Sequence, residues 1–274
     1  MTTIPLMIDS GAYSAFYQGG EVDIEEYIDF IKRILVGKPD VVYISLDVIN
    51  NGKATYKNWQ RMKRAGLQPI PVYHAVTDEK WLQKYLAQTD HIAIGAVAKM
   101  ASSQRKVALD RLWSNYLTDK EGWPLYKVHG FAVTGFSLMK RYPWHSLDST
   151  SWLQSAMYGK VLVPHRRAGQ WDYSRKPHSV FFSNRSPQIK NRGEHIETVS
   201  PLTRQLVLDY IAHLGSSYGV SKFDKEGKEE IVEPGICNDW MLRARMNAWF
   251  YTKFLAQLAW PRQFKIEKSA GFFI

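Results

Sequence analysis

The chain carries a single cysteine, Cys237, in 274 residues. It can therefore close no internal disulfide and supply no multi-cysteine zinc site, and its fold rests on packing. Long apolar runs are missing too: no span approaches the ~20 residues needed to cross a bilayer, so no membrane partner is expected. The N-terminal MTTIPLMIDSG runs straight into strand-like sequence, with no basic region, apolar core or cleavage motif, which reads as a cytoplasmic protein and not an exported one. There is no GxGxxG, no Walker loop and no GxSxG. Nucleotide hydrolysis and Ser-His-Asp chemistry have no support, and no cofactor is expected. Internal repeats and low-complexity tracts are lacking as well. Acidic residues are in deficit: 26 Asp and Glu against 36 Lys and Arg leave +10. That excess suits a polyanion such as nucleic acid, although many soluble proteins are basic without such a partner.

With 45% hydrophobic and 23% charged residues, and with 10 Trp, 15 Tyr and 12 Phe, the chain is too apolar and aromatic to be disordered. Its length, at a typical ~150 residues per domain, allows one large domain or two small ones. Up to about residue 165, short β-rich runs alternate with amphipathic stretches, the pattern of a parallel sheet with crossover helices. The predicted strands are Pro5 to Asp9, Val41 to Asp47, Pro69 to Ala75, His91 to Val97, Tyr126 to Val133, Trp144 to Asp148 and Lys160 to Pro164, with Ser179 to Ser183 as an eighth. Helices are predicted near Ile24 to Leu35, Thr55 to Ala65, Glu79 to Ala87 and Ser103 to Leu117, the first started by Asp23 and the second closed by Gly66.

This count of β/α units predicts the α/β class and a (β/α)8 TIM-like barrel, with a basic insertion and C-terminal helices packed on it. The competing architecture is an open doubly wound sheet. The expected layout is one domain over residues 1–274, with a basic nucleic-acid-binding segment at 165–198 and a helical elaboration at 199–274. In that elaboration, helices are expected near Pro201 to Leu214 and Asp239 to Ala259, around a polar hairpin centred on Gly227. On the second helix, Trp240, Met241, Trp249, Phe250 and Phe254 are expected to pack inward, and Arg243 and Arg245 to face outward.

In a barrel, Asp9, Asp47, His74 and Asp148 all fall on the C-terminal rim where such folds do their chemistry. Any one strand-terminal aspartate is explained by capping or turn formation. Two carboxylates together suit cleavage at a sugar's anomeric carbon, which needs one group for displacement and another for proton transfer. Gly95, Gly130 and Gly135 would let a flat ring approach the backbone, or simply pack tightly and shape turns. His74, His129, His145 and His165 also lie near strand ends, without metal-ligand spacing, so no metal site is expected. Between Lys160 and His195 stand eight Lys or Arg against two acids. His165, Arg166, Arg167, Arg175, Lys176, Arg185, Lys190 and Arg192, interleaved with Trp171, Tyr173, Phe181 and Phe182, suit phosphate contacts with stacking on unpaired bases, or a solvated surface over core aromatics.

Taken in order, these motifs resemble the tRNA-guanine transglycosylase superfamily, and most closely its compact phage-type members that insert 7-deazaguanines into DNA. IDSGAYSAF is similar to the family's DSGGFQ segment, SLDVINN to the strand ending in its base-recognising aspartate, and IAIGAVAK to its IGGLAVGE loop. KVHGFAVTG followed by HSLDSTSW is similar to its last conserved strand pair. The match spans about residues 5 to 152. It implies Asp148 as nucleophile, Asp9 as acid/base and Asp47 as the reader of the base. Ser10, His74, Gly95, Ala96, Val97 and Gly130 would complete the base pocket, with His74 standing on the family's glutamine-bearing strand. The tRNA-acting members have a cysteine-rich zinc site that Cys237 alone cannot replace, which points away from zinc and towards DNA, ahead of RNA, as the partner.

The expected reaction is exchange of guanine in DNA for a 7-deazaguanine (preQ0-type) base through a covalent aspartyl-glycosyl intermediate, in a host cytoplasm if the chain is phage-encoded. The alternatives are a tRNA-guanine transglycosylase or a nucleic-acid N-glycosidase using the same carboxylates. From another class comes a non-catalytic nucleic-acid-binding protein.

Overall fold

The structure, a computed structural model, describes residues 6–95, 100–133, 135–185 and 191–265. The chain divides into two compact units, residues 1–149 with 260–274 and residues 150–259.

The first unit alternates strands and helices in the order β1 (Met7–Ile8), α1 (Ala12–Tyr17), α2 (Ile24–Gly37), β2 (Val42–Tyr43), α3 (Gly52–Arg64), β3 (Val72–His74), α4 (Lys80–Leu86), β4 (His91–Gly95), α5 (Ser102–Leu112), β5 (Lys127–Gly130), α6 (Phe136–Arg141) and β6 (Ser146–Leu147). Among the described residues its named strands pair in parallel: β1 with β2, then β3-β4-β5-β6 in order. A parallel bridge between Ile44 and Ile70 joins the two ladders, with Ser45 donating to the Ile70 carbonyl at 2.8 Å and Ile70 to that of Tyr43 at 2.9 Å. Spatial order thus follows chain order without the reversal that defines a doubly wound sheet. The sheet also curls: Leu6 and Met7 at its first edge and Ser146 and Leu147 at its last line the same cavity. The result is a mixed α/β unit with its parallel strands ending on one side.

Local chemistry sets these elements. Asp23 caps α2, its carboxylate accepting from the Glu25 and Glu26 amides at 2.8 and 3.0 Å, a contact that contributes about 1 kcal/mol. Tyr27, Ile28 and Ile31, at helical spacing, are the buried residues of α2. In α3 the buried residues are Thr55, Trp59 and Met62; Gly66 follows at φ +86°, the left-handed conformation that ends a helix and favours glycine. After α5 the chain makes one π-helical turn, Trp113–Leu117, that buries Trp113 and Leu117. Trp113 packs edge-on to Trp144 at 5.4 Å. Asp110 receives both a bidentate Arg141 fork (2.7 and 2.9 Å) and the Tyr142 hydroxyl (2.8 Å).

The second unit comprises α7 (Ser151–Met157), β7 (Lys160–Val163), β8 (His165–Arg167), β9 (Gln170–Asp172), β10 (His178–Phe181), α8 (Pro201–His213), β11 (Val220–Phe223), β12 (Glu229–Glu233) and α9 (Trp240–Leu255). β7 pairs antiparallel with β10, so the strands expected as seventh and eighth members of a parallel barrel do not run parallel to one another. Periodicity locates strands and says nothing of their direction. β8 and β9 form a tight hairpin through Ala168 and Gly169, both at positive φ (47° and 79°), the turn whose twist matches its strands. The hairpin predicted around Gly227 is β11-β12.

On α9, Phe250 and Phe254 are buried as expected, but Trp240, Met241 and Trp249 are exposed. Arg243, expected to face solvent, is buried and donates to the carbonyls of Ala156 (2.8 Å) and Ile236 (2.6 Å). Two short helices, α1 and α7, were not predicted. At six and seven residues they are too short to display a periodic stripe.

Candidate active site

Each strand of the curled sheet ends in a polar or glycine residue. Asp9 follows β1, Asp47 lies four residues after β2, His74 ends β3, Gly95 ends β4, Gly130 ends β5 and Asp148 follows β6. The register keeps these ends level: His74 is opposite Gly95, Ile94 opposite Gly130, and Gly130 opposite Leu147. Parallel strands all point their C-terminal ends the same way, so residues far apart in sequence share one rim.

On this rim Asp47 is held from two sides. The Ser10 hydroxyl donates to its Oδ1 at 3.1 Å, and His74 Nε2 lies 2.8 Å from its Oδ2. The buried His74 leaves Nδ1 without a partner, so Nδ1 takes no hydrogen bond that would compete for ring orientation. Ser10 is buried; Gly11 beside it sits at φ +72°, a turn that an L side chain would strain, and leads into α1. A Cβ on Gly95 would stand 3.1 Å from His74 Cδ2, so the space beside this glycine is filled by the imidazole that holds Asp47. A Cβ on Gly130 would stand 2.8 Å from side-chain carbons of Leu147 and of Val133. Ala96 and Val97 lie outside the described residues.

Asp9 accepts from the Ser10 amide at 2.7 Å. Its pKa is raised, first by burial and then by the negative charges of Asp47 and Asp148, so both of those carboxylates act on Asp9. Asp148 is raised as well, by burial against the opposing pull of the Ala132 amide, which donates to its Oδ1 at 2.8 Å. Ala132 makes that contact from φ +53°, a conformation uncommon for a residue with a side chain. A carboxyl that gives up its proton less readily is better suited to act as an acid than an ordinary aspartate.

Beneath Asp9 and Asp148 lies a cavity of ≈ 450 Å³ that reaches down to His91, His129 and His145. His129 Nδ1 is 2.9 Å from Ser146 Oγ, while its buried Nε2 lacks a hydrogen bond and stands 3.9 Å from Asp148 Oδ1. Burial, with the neighbouring His145, lowers the His129 pKa to about 4. His91 falls to about 4 for the same first reason. The imidazoles are therefore neutral at neutral pH. The sequence places His129 near a strand end without showing its link to Asp148. A signal existed: Ser146 and Asp148 lie two residues apart on one face of the last strand, and Ser146 is paired with His129. Also unforeseen are Tyr13, Phe16 and Tyr17 on α1, exposed aromatics that immediately follow the Asp9 turn.

In the second unit the basic segment presents Arg166, Arg167, Arg175, Lys176, Arg185 and Arg192 as exposed residues. Arg166 pairs with Asp209 at 3.2 Å and Arg185 with Glu229 at 2.8 Å. His165 is partly buried, its Nε2 2.9 Å from the Lys176 carbonyl. Lys190 lies outside the described residues. The interleaved aromatics do not follow the cations outward: Tyr173 and Phe182 are buried, and Trp171 packs against Tyr210 at 5.0 Å. The segment thus shows a cationic surface over core aromatics, with Arg166 lying over the ring of its cross-strand partner Trp171 at 5.5 Å.

Among the described residues no group of three or more His, Cys, Asp or Glu could hold a metal ion, and no helix is long and apolar enough to cross a membrane. No protein-family model matches the chain, and no curated protein or solved structure does either.

Proposed function

We propose that the chain is a DNA-guanine transglycosylase, exchanging guanine for a 7-deazaguanine base, and that the curled sheet is the greater part of a TIM-like barrel. The observation that carries this reading is the gathering of Asp9, Asp47 and Asp148 at the ends of the first, second and last of the parallel strands, close enough for the charges of the latter two to raise the pKa of Asp9. In the proposed reaction the Asp148 carboxylate attacks C1′, an ester bond forms, and the C1′–N9 bond breaks. Asp9 delivers a proton to the departing guanine. The incoming deazaguanine then attacks C1′, gives its proton to Asp9 and releases Asp148, restoring both groups.

Asp47 is suited to reading the base. A carboxylate oriented by Ser10 and His74 accepts from the N1–H and N2–H₂ edge of guanine, and adenine would leave it unpaired at a cost of ~1–3 kcal/mol. The basic surface of Arg166, Arg167, Arg175, Lys176 and Arg192 supports a polyanionic partner, since clustered cations bind phosphates through counterion release. A target base within a duplex must be extruded to reach a recessed site.

The test is to incubate the protein with guanine-containing DNA, or with tRNA, and a 7-deazaguanine base, then digest and weigh the nucleosides. Incorporation into DNA that disappears in Asp148→Ala is expected. Incorporation into tRNA alone would move the acceptor to RNA, and release of free base without incorporation would make the protein a glycosidase. Unchanged exchange in Asp148→Ala would overturn the assignment of the nucleophile.

A further inference from the structure

The second unit contains a pocket of its own, ≈ 370 Å³, lined entirely by its own residues, among them Tyr158, Arg185, Glu229, Trp240 and Arg243. Its size falls in the range of small-molecule sites. It shares no residue with the carboxylate cavity.

The chemistry of its wall is specific. The Glu229 side chain is 8% exposed; Oε2 takes the Arg185 guanidinium at 2.8 Å, and Oε1 is buried with no hydrogen-bond partner. A buried carboxylate oxygen left unpaired costs free energy, and a ligand bearing N–H groups would recover it. Arg243, 4% exposed, spends two donors on the carbonyls of Ala156 and Ile236 and has no carboxylate within ion-pair distance among the described residues. The negative charge of Glu229 is among those that act on it, against the larger effect of burial. The rim carries Trp240 at 43% exposure and Tyr158 at 75%, large rings in water beside a polar hollow.

These features restrict the occupant. Two guanidinium groups against one carboxylate leave the pocket net positive, which disfavours an ammonium or guanidinium ligand and favours a neutral donor edge attached to an anion. A nucleotide has that make-up, and its base offers a flat face for stacking. Among the bases, guanine places N–H donors (N1 and N2) next to an acceptor (O6), matching an orphan carboxylate oxygen beside an arginine. Adenine presents the reverse order, with an acceptor towards the carboxylate and an amino group towards the cation.

We propose that this pocket is a second nucleobase site that takes a guanine nucleotide. Glu229 Oε1 accepts from its N1–H and N2–H₂ edge, Arg243 faces O6, Trp240 offers a stacking surface, and the exposed Arg185 meets the phosphate. The site does not depend on base exchange; it would bind guanine whether or not Asp148 is a nucleophile.

The experiment is calorimetric titration of the full chain carrying Asp47→Ala, which removes the proposed base-reading carboxylate of the first unit, so that failure here is distinct from failure of the exchange reaction. The probes are dGMP, dAMP, inorganic phosphate, and a thymidine oligonucleotide with or without one dG. One saturable dGMP site is expected, with dAMP about tenfold weaker or worse. Adding Glu229→Gln, which presents an amide where the carboxylate oxygen stood, should weaken dGMP by about tenfold or more. Trp240→Ala, at a solvent-exposed ring that folding does not require, should weaken it by a similar ~tenfold through lost stacking. Preference for the dG oligonucleotide over dGMP would assign the base to a strand; equal binding would assign it to free nucleotide, and both support the site. Absence of binding by dGMP and by the dG oligonucleotide, indifference to both substitutions, or full displacement by inorganic phosphate would overturn it.

Discussion

His129 Nε2 faces Asp148 Oδ1 at 3.9 Å, buried and without a hydrogen bond, while the opposite ring nitrogen is tied to Ser146 at 2.9 Å. The imidazole is thus anchored at one end and poised at the other beside the proposed nucleophile. A small movement of the carboxylate as it bonds to C1′ would bring Nε2 within hydrogen-bond reach.

Replacing His129 with Asn keeps a polar group near Ser146 and removes Nε2. We expect kcat for base exchange to fall by about tenfold with KM nearly unchanged, the pattern of an interaction made only on the way to the transition state. A rise in KM at constant kcat would show that His129 contributes only to binding.

The clamp on Asp47 makes a separate prediction. His74→Ala removes the 2.8 Å contact to Oδ2 and leaves the partly buried Asp47 carboxylate half supported. Guanine KM should rise by roughly tenfold or more, from the ~1–3 kcal/mol of a disrupted charged hydrogen bond, with a smaller change in kcat. Steady-state kinetics with a dG oligonucleotide, compared with Asp47→Asn, measures it; wild-type KM in both variants would remove Asp47 from base recognition.

Activity should fall as pH is lowered. The Asp148 pKa is raised above 3.8 by burial, so the group stays protonated, and unable to attack, up to a higher pH than an ordinary aspartate. A pH profile of kcat/KM should show an acid limb at a higher pH than an ordinary aspartate would give. A limb at or below the ordinary value would contradict this.

Stability should move with pH in the same direction for another reason. The unfolded chain's His129 binds a proton near pH 6.5, but the folded chain's only near about 4. Between these values the unfolded state holds more protons, so stability is full above the upper value and is lost as pH falls through the window. The ceiling is roughly 3 kcal/mol for this histidine, and His91, also lowered to about 4, adds in the same sense. Urea midpoints at pH 7 and pH 4.5 measure the change, and His129→Phe should shrink it.

Asn247 tests the packing of the second unit. Fully buried, it accepts from the Leu162 amide at 2.8 Å and donates to the carbonyls of Trp152 and Lys160 at 3.0 and 3.1 Å. Asn247→Leu keeps the branched outline of the side chain, with bulkier methyl groups, but abandons these backbone groups, and should cost about 3 kcal/mol or more by denaturant unfolding.

Much of this was legible one residue at a time. The Asp23 cap, the Gly66 stop and the helical spacing of Tyr27, Ile28 and Ile31 are short-range features, set by backbone hydrogen bonds and by which face of a helix is apolar. The strands before Pro164 were located because apolar runs bounded by polar residues mark them, and Asp9, Asp47 and Asp148 stood out at their ends. Strand direction was not legible: β7 and β10 read like their predecessors, yet pair antiparallel. Nor were the burial of Arg243, the exposure of Trp240, or the partners of Asp47, His129 and Glu229. Residue type and local spacing are properties of a chain segment and survive without the rest of the molecule. Which neighbour fills the space beside a side chain is a property of segments brought together by folding, and for Glu229 it is the difference between a solvated surface acid and an unpaired oxygen in a pocket.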